Sequence, residues 1–190
     1  MGQLLLILGG ARSGKSAYAQ RLAEERGGAQ VVFVATATAG DEDMAQRIAR
    51  HRAERPAVWR TLEVPYDVGQ ALTQHLGEAT VVVVDCLTLL VSNLLFRDTT
   101  TPDAATVDAA VQAEMAALLQ ACQTLPATVI VVSNEVGLGL VPDNALGRLY
   151  RDVLGRANQA LAAQAAAVYL LVAGLPVDVK ALSRAAAHVS

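Results

Sequence analysis

Runs of consecutive apolar residues alternate along this chain with longer segments in which apolar and polar positions are mixed. The apolar runs are rich in β-branched residues, and such near-continuous hydrophobicity is typical of parallel strands covered on both faces. They predict buried strands at Gln3–Leu8, Gln30–Ala35, Thr80–Asp85, Thr128–Ser133 and Val168–Val172. The mixed segments predict helices at 13–26, about 41–54, about 66–75, 87–96, 104–123 and 145–166. This alternation indicates an α/β, doubly wound fold: a mostly parallel central sheet flanked by helices, with right-handed crossovers.

No internal repeat and no shift in composition divides the 190 residues, so we expect one domain over 1–190 with a sizeable core. The polar stretch 98–103 predicts a loop before a helix that is capped near Asp103. The pattern leaves two alternatives for 178–190, a short helix or a frayed tail.

Composition and charge argue against several classes of protein. The net charge of −3 comes with no block of basic residues, which argues against a nucleic-acid partner. Two cysteines, Cys86 and Cys122, are too few for a disulfide scaffold. The first apolar run is too short for a secretory signal and lacks its basic start. No run reaches the roughly 18 apolar residues of a membrane span, so a soluble cytoplasmic protein is expected.

The eight residues after the first apolar run carry the strongest chemical signal in the chain. They match the phosphate-binding loop pattern G-x-x-x-x-G-K-[ST], between a predicted strand and a predicted helix. They are Gly9-Gly10-Ala11-Arg12-Ser13-Gly14-Lys15-Ser16. Glycines let backbone N–H groups approach phosphate oxygens, and the helix N-terminus adds positive potential. We therefore expect a bound nucleoside triphosphate, with Lys15 at its β- and γ-phosphates and the Ser16 hydroxyl on Mg²⁺.

Polar side chains follow two further predicted strands at the edge where ligands bind in open α/β sheets. Asp85 ends a run of four valines and is a candidate Mg²⁺ ligand beside Ser16. After the next strand, Glu135 is a candidate general base or metal ligand, and Asn134 a candidate substrate or phosphate contact. The alternative is an ordinary strand-ending turn in which Gly137 supplies a positive φ.

The segment 41–56 has acidic residues at its start and basic residues at its end, as the helix dipole favours. Arg47 and His51 are four residues apart and share a face, which Arg55 continues if the last turn is helical. A neutral imidazole among arginines beside a nucleotide is suited to accept a nucleotidyl group. The residues alone leave a second interpretation open, a solvated helix end whose charges complement the dipole.

Trp59 and Glu63 follow this charged segment. They are candidates to stack on and hydrogen-bond a nucleotide base. A Trp packed at a corner between a helix and a strand is the equal alternative.

Together these residues form an ordered set that closely resembles the bifunctional adenosylcobinamide kinase / adenosylcobinamide-phosphate guanylyltransferase family of cobalamin biosynthesis. The resemblance covers roughly 3–175. It rests on Gly9 to Ser16, Val34-Ala35-Thr36, Asp43-Met44, Arg47-Ile48, His51, Arg55-Pro56, Trp59-Arg60-Thr61, Glu63, Asp85-Cys86-Leu87-Thr88, Asn93-Leu94-Leu95, Ser133-Asn134-Glu135-Val136-Gly137, Val141-Pro142 and Gly155-Arg156-Ala157-Asn158-Gln159.

The resemblance implies an enzyme with two steps. ATP or GTP phosphorylates the hydroxyl of the aminopropanol arm of adenosylcobinamide, and GTP then gives GMP to that phosphate and releases pyrophosphate. For the second step the resemblance implies a GMP-histidine intermediate, with His51 as the matching residue. Relatives can carry two adjacent histidines here, whereas this chain has Arg50 before His51.

The resemblance also implies a set of ligand-binding residues, a branch of the fold and an assembly. Its guanine-nucleotide contacts fall on the phosphate loop 9–16 and on Val34, Ala35, Thr36, Arg52, Ala53, Glu54, Arg55, Glu63 and Asp85. The implied fold is a RecA-like phosphate-loop NTPase, and the implied assembly is a trimer. Mg²⁺ is the implied cofactor.

Two alternatives predict different chemistry. A phosphate-loop small-molecule kinase without a covalent step would transfer only the γ-phosphate and would not need His51. A nucleotide-gated binding module would bind and slowly hydrolyse nucleotide while a partner protein senses its state.

Overall fold

The computed structural model describes residues 2–40, 42–97 and 103–187. The strands are β1 (Leu4–Gly9), β2 (Val31–Ala35), β3 (Arg60–Glu63), β4 (Val81–Asp85), β5 (Thr128–Val132), β6 (Ala167–Val172) and β7 (Leu175–Asp178). The helices are α1 (Lys15–Gly27), α2 (Glu42–Ala53), α3 (Val68–His75), α4 (Leu87–Leu95), α5 (Ala104–Thr124), α6 (Ala145–Gln164) and α7 (Val179–Ala187).

The seven strands form one sheet in the order β3-β2-β4-β5-β1-β6-β7. Every pairing is parallel except that of β6 with β7. The predicted α/β fold with a mostly parallel sheet is therefore confirmed. One strand, β5, separates the strand before the phosphate loop from the strand that ends in Asp85. The carboxyl ends of β1, β4 and β5 thus lie side by side along one edge.

The four central strands are buried on both faces because helices cover each side of the sheet. Alternate residues of β1 belong to different clusters: Leu6 packs with the face covered by α3 to α6, and Ile7 with the face covered by α1. Full burial of such an aliphatic side chain contributes about 2 kcal/mol. The continuous apolar runs in the sequence follow directly from this two-sided burial.

Two short strands were not predicted from the sequence. β3 and β7 have four residues each, lie at opposite edges of the sheet, and consist mostly of exposed or half-buried positions. An edge strand exposes one side to solvent, so it needs no apolar run and leaves no strong pattern. The structure supports the helical alternative for the tail, because α7 spans Val179–Ala187.

Several smaller expectations can be compared with the structure. Asp103 caps α5, as predicted, by accepting a hydrogen bond from the Thr106 amide. Trp59 is buried and donates its indole N–H to the Gly28 carbonyl, so the packed corner is the interpretation that the structure supports. The rest of the predicted loop, 98–102, and the end of the tail, 188–190, lie outside the described residues.

A buried carboxylate from α5 holds the start of α3. Glu114 accepts hydrogen bonds from the amides of Asp67 (2.9 Å) and Val68 (2.8 Å). Burial raises the pKa of Glu114, against the opposing effect of these two amides. The two helices approach so closely that a Cβ on Gly69 would lie 2.4 Å from the backbone of Ala117. This contact fixes the connection between β3 and α3.

In the described part of the chain, no helix combines the length and the apolar character needed to cross a membrane.

Candidate functional site: a phosphate loop and a convergent set of charges

The phosphate loop turns from the end of β1 into α1, and its backbone needs unusual conformations. Gly14 has a φ of 93° and lies so close to the β6–β7 turn that an added Cβ would be 3.3 Å from Gly174 Cα. The Gly174 amide donates to the Ser13 carbonyl at 3.0 Å, which ties the loop to that turn. Arg12 also has a positive φ, 57°. The turn thus supports the loop from the side opposite β5.

The Lys15 ammonium folds back onto its own loop and donates to the Gly10 carbonyl at 2.6 Å. Burial lowers the pKa of Lys15, while the nearby Cys86 and Asp85 side chains raise it. In the described residues, the hydroxyl of Ser13 is buried without a hydrogen-bond partner. The Lys15 ammonium and the unpaired Ser13 hydroxyl could therefore both donate hydrogen bonds to phosphate oxygens bound in the loop.

Asp85, at the end of β4, is the centre of the site. Burial raises the pKa of Asp85, and four groups oppose that shift: a hydrogen bond from Ser16 and the charges of His51, Arg55 and Lys15. These groups come from the phosphate loop and from the end of α2, so the fold brings together segments that are distant in sequence. Carboxylate and hydroxyl oxygens are hard donors, which Mg²⁺ prefers, so the Ser16–Asp85 pair fits that ion.

The last turn of α2 and the residues after it supply the basic groups. His51 is half-buried and lies close enough for its charge to lower the pKa of Asp85. The Arg55 guanidinium stacks on Phe33 of β2, with Cζ 3.6 Å from the ring centroid. Burial lowers the pKa of Arg55, whereas Asp85 raises it. In the described residues, Arg55 Nε is buried without a partner, so this N–H can still donate to a ligand oxygen.

The other basic and acidic residues predicted here lie further out. Arg52 and Glu63 form an exposed ion pair at 3.3 Å. Ala53 and Glu54 are exposed. Asp41 and the side chain of Arg47 lie outside the described part of the structure. The predicted residues thus divide into an inner group around Asp85 and an outer rim formed by the Arg52–Glu63 pair.

Thr36, directly after β2, connects the end of β2 to the segment after β4 through hydrogen bonds. Its side chain is fully buried, donates to the Cys86 carbonyl (2.7 Å) and accepts from the Cys86 amide (2.8 Å). The Asn93 amide group donates to the Thr36 carbonyl at 2.8 Å and to the Pro65 carbonyl at 3.1 Å. Thr36 therefore holds the segment that carries Asp85, while Val34 and Ala35 before it are buried in β2.

Glu135 and Asn134 follow β5 and connect the site to α6. The Glu135 amide donates to the Gly9 carbonyl at 3.1 Å, which places Glu135 beside the start of the phosphate loop. Its carboxylate accepts from the Gly137 amide at 2.8 Å, so a strand-ending turn is present. Gly137 itself does not have a positive φ, in contrast to the role considered for it. Asn134 is held through its backbone, between Thr88 and Asn158.

The comparison with known families now decides the relationship. The family model described as "Cobinamide kinase / cobinamide phosphate guanyltransferase" matches residues 5–179. The chain belongs to this family.

Relatives that the chain matches over nearly their whole length support the same family membership. The chain is 49% identical over 175 residues to the bifunctional adenosylcobalamin biosynthesis protein CobP of Pseudomonas aeruginosa, covering 92% of this chain and 96% of that protein. It is 41% identical over 182 residues to the bifunctional adenosylcobalamin biosynthesis protein CobU of Escherichia coli K12, covering 93% and 99%. Among solved structures, the flagellar accessory protein FlaH of Methanocaldococcus jannaschii aligns with a TM-score of 0.47 and 18% identity, covering 92% and 75%.

Three residues of this cobinamide kinase family member have positions in the site that the sequence did not assign to them. They are Phe33 under Arg55, Asn93 behind Thr36, and Asn158 beneath Asn134. Asn93 and Asn158 occur in the segments that resemble the family, but no local pattern indicates what they contact. Phe33 lies within an apolar run that already has a full explanation as a buried strand.

The raised pKa of Asp85 predicts that removal of this carboxylate stabilises the protein at neutral pH. Because the pKa of Asp85 is raised, the folded state holds a proton on this group more tightly than the unfolded chain. Stability from this group is present at low pH and is lost as pH rises through the pKa values of the two states. We expect Asp85→Asn to melt higher than the wild type at pH 7, with a smaller difference near pH 4, and to lose Mg²⁺-dependent nucleotide binding. Melting curves without nucleotide at both pH values check this. A mutant that melts lower at pH 7 would contradict it.

Proposed function

We propose that this protein phosphorylates adenosylcobinamide with ATP or GTP and then transfers GMP from GTP to the resulting phosphate, forming adenosylcobinamide-GDP and pyrophosphate. Membership of the cobinamide kinase / cobinamide phosphate guanyltransferase family supports both reactions. The single observation that carries the proposal at the site is the convergence of Lys15, Ser16, His51 and Arg55 on Asp85. That set combines a triphosphate-binding loop with a nucleophilic imidazole.

In the proposed complex, the triphosphate occupies the phosphate loop. Lys15 exchanges the Gly10 carbonyl for phosphate oxygens, and the Ser13 hydroxyl gains a partner. Ser16 and Asp85 would hold Mg²⁺, which when bound neutralises part of the triphosphate charge. Arg55 would complete the cationic surroundings of the phosphates.

In the guanylyl step, a nitrogen of neutral His51 attacks the α-phosphorus of GTP. A nitrogen–phosphorus bond forms, the bond from the α-phosphorus to the bridging oxygen breaks, and pyrophosphate leaves. An oxygen of adenosylcobinamide phosphate then attacks the same phosphorus, and the bond to His51 breaks. Arginine stands at position 50, so His51 is the one imidazole available at this end of α2. Nearby cationic groups stabilise the charge that develops on the phosphoryl oxygens.

The decisive experiment traps the intermediate without corrinoid. Purified protein is incubated with Mg²⁺ and GTP labelled at the α-phosphate, denatured, digested and mapped by mass spectrometry. We expect an acid-labile, base-stable label on the peptide that contains His51, and none from GTP labelled at the γ-phosphate. Confirmed GTP binding without any label would instead indicate a plain phosphate-loop kinase or a binding module.

The proposed assembly is a homotrimer of cytoplasmic chains, carried over from the resemblance. Exposed apolar side chains on β6, β7 and α7 supply a surface that subunit contact would cover, among them Val172, Leu175 and Leu182. Light scattering after size exclusion measures the number of subunits directly.

A further inference from the structure

A cleft of about 490 Å³ opens beside the start of the phosphate loop and lies outside the nucleotide-binding residues. It lies between Leu8 of β1, Glu135 beyond β5 and one side of α6. The Glu135 amide donates to the Gly9 carbonyl, so one wall of the cleft is tied to the first residue of the loop. One end of a ligand in the cleft would therefore lie next to a triphosphate bound in the phosphate loop.

One wall of the cleft contains a buried acceptor that lacks a donor. Asn158 is only 5% exposed, and its Nδ2 donates to the Asn134 carbonyl at 3.1 Å. A carbonyl can only accept, so Nδ2 must face Asn134, which fixes the orientation of the side-chain amide. In the described residues, Asn158 Oδ1 is then buried with no hydrogen-bond partner. Buried acceptors are rarely left unpaired, so this oxygen is available to a ligand that brings an N–H or O–H group.

The charges of the cleft argue against an anionic occupant. Arg151 pairs with Asp152 at 3.3 Å, and Arg156 pairs with Asp108 at 2.7 Å. Each guanidinium thus already has a carboxylate partner. The side-chain amide of Gln159 adds a neutral donor and acceptor to the lining. A neutral segment with amide groups matches this surface better than a second phosphate ligand.

We propose that this cleft is the acceptor subsite and takes the hydroxyl-bearing amide arm of the corrinoid, an inference that rests on the proposed function. Its volume lies within the range of small-ligand pockets and suits an arm, while the macrocycle stays outside. Asn158 Oδ1 accepts an N–H of the arm. A Glu135 carboxylate oxygen takes the hydroxyl proton as the hydroxyl oxygen bonds to the γ-phosphorus. The bond from that phosphorus to the β–γ bridging oxygen breaks, and a nucleoside diphosphate leaves.

Filling the cleft from α6 tests the proposal. A Cβ on Gly155 would meet nothing within 4 Å, and leucine favours helix more than glycine does, so Gly155→Leu retains the fold. In the kinase reaction we expect it to raise the KM for adenosylcobinamide by about tenfold or more and to leave the KM for GTP unchanged. Asn158→Ala, which removes the unpaired acceptor, is expected to raise the KM for adenosylcobinamide by about tenfold.

The matched control is Ala160→Leu, on the opposite side of α6, in a hollow of about 210 Å³ against α5. It should leave both KM values unchanged. If Gly155→Leu and Asn158→Ala, each with a wild-type melting temperature, keep the wild-type KM for adenosylcobinamide, the acceptor assignment is overturned. The labelling of His51 by α-labelled GTP needs no corrinoid, so it tests the guanylyl step independently of the cleft. If the wild type takes no label while Gly155→Leu still raises the KM for adenosylcobinamide, the guanylyl step fails and the cleft assignment stands.

Discussion

Replacing His51 with alanine is expected to lower guanylyl transfer by about a thousandfold or more, because the proposed covalent intermediate forms on its imidazole. The kinase step should stay within about threefold of the wild type, since it needs the phosphate loop and not the imidazole. Separate assays of γ-phosphate transfer and of GMP transfer to preformed adenosylcobinamide phosphate measure the two effects. The label from α-labelled GTP should disappear together with the second activity.

The chain provides its own control for this substitution. His75 is exposed on α3. His75→Ala removes an imidazole without touching the site, so both activities and the label should be retained. Equal loss of the kinase and guanylyl activities in His51→Ala would show that His51 supports the whole site and is not the nucleophile. Retention of the label in that mutant would assign the covalent step to another residue.

Replacing Lys15 with alanine is expected to impair both steps together, each by about a hundredfold to a thousandfold in kcat/KM. In the proposed mechanism each step binds its own nucleoside triphosphate in the same phosphate loop, and Lys15 is the buried cation of that loop. Burial disfavours the charged ammonium, so its removal should leave the melting temperature without nucleotide unchanged or slightly higher. Steady-state kinetics and nucleotide titration measure the loss, and a melting curve shows that the chain still folds.

Lys180→Ala is the matched lysine control. This ammonium donates to the Ala162, Ala163 and Ala165 carbonyls at the end of α6, so its loss should lower the melting temperature. Nucleotide affinity should stay at the wild-type value. Lys15→Ala is therefore expected to lose activity and keep its melting temperature, whereas Lys180→Ala is expected to lose stability and keep its nucleotide affinity. A Lys15→Ala enzyme that retained either activity would contradict a shared triphosphate site.

The central part of the fold could be predicted because burial on both faces leaves a strong pattern in the sequence. The runs around Ile7, Phe33, Val83 and Ile130 have no polar positions to confuse their interpretation. β3 and β7 could not be found in the same way, since each pairs on one side only and includes polar or exposed residues. Tertiary pairing, not local pattern, creates these two strands.

The position of the candidate site was predictable where one local motif determines the backbone conformation, as it does from Gly9 to Ser16. The end of β4 was also predictable, because a carboxylate directly after a buried strand lies at the ligand-binding edge. The contacts that hold these groups in place could not be predicted from the sequence. Glu114 caps a helix more than forty residues earlier in the chain, and Asn93 reaches back to Thr36. Such contacts depend on how helices pack, which no sequence spacing encodes.

The scarcity of lysine has a practical consequence for measuring ligand occupancy. Lys15 and Lys180 are the two lysines among fifteen basic residues, the rest being arginines. Both ammonium groups donate to backbone carbonyls, one inside the phosphate loop and one at the end of α6. Amine-directed footprinting with mass spectrometric readout would therefore contain its own internal standard. Lys180 reports whether the chain is folded, and Lys15 reports whether the loop is filled, with no label attached to the nucleotide.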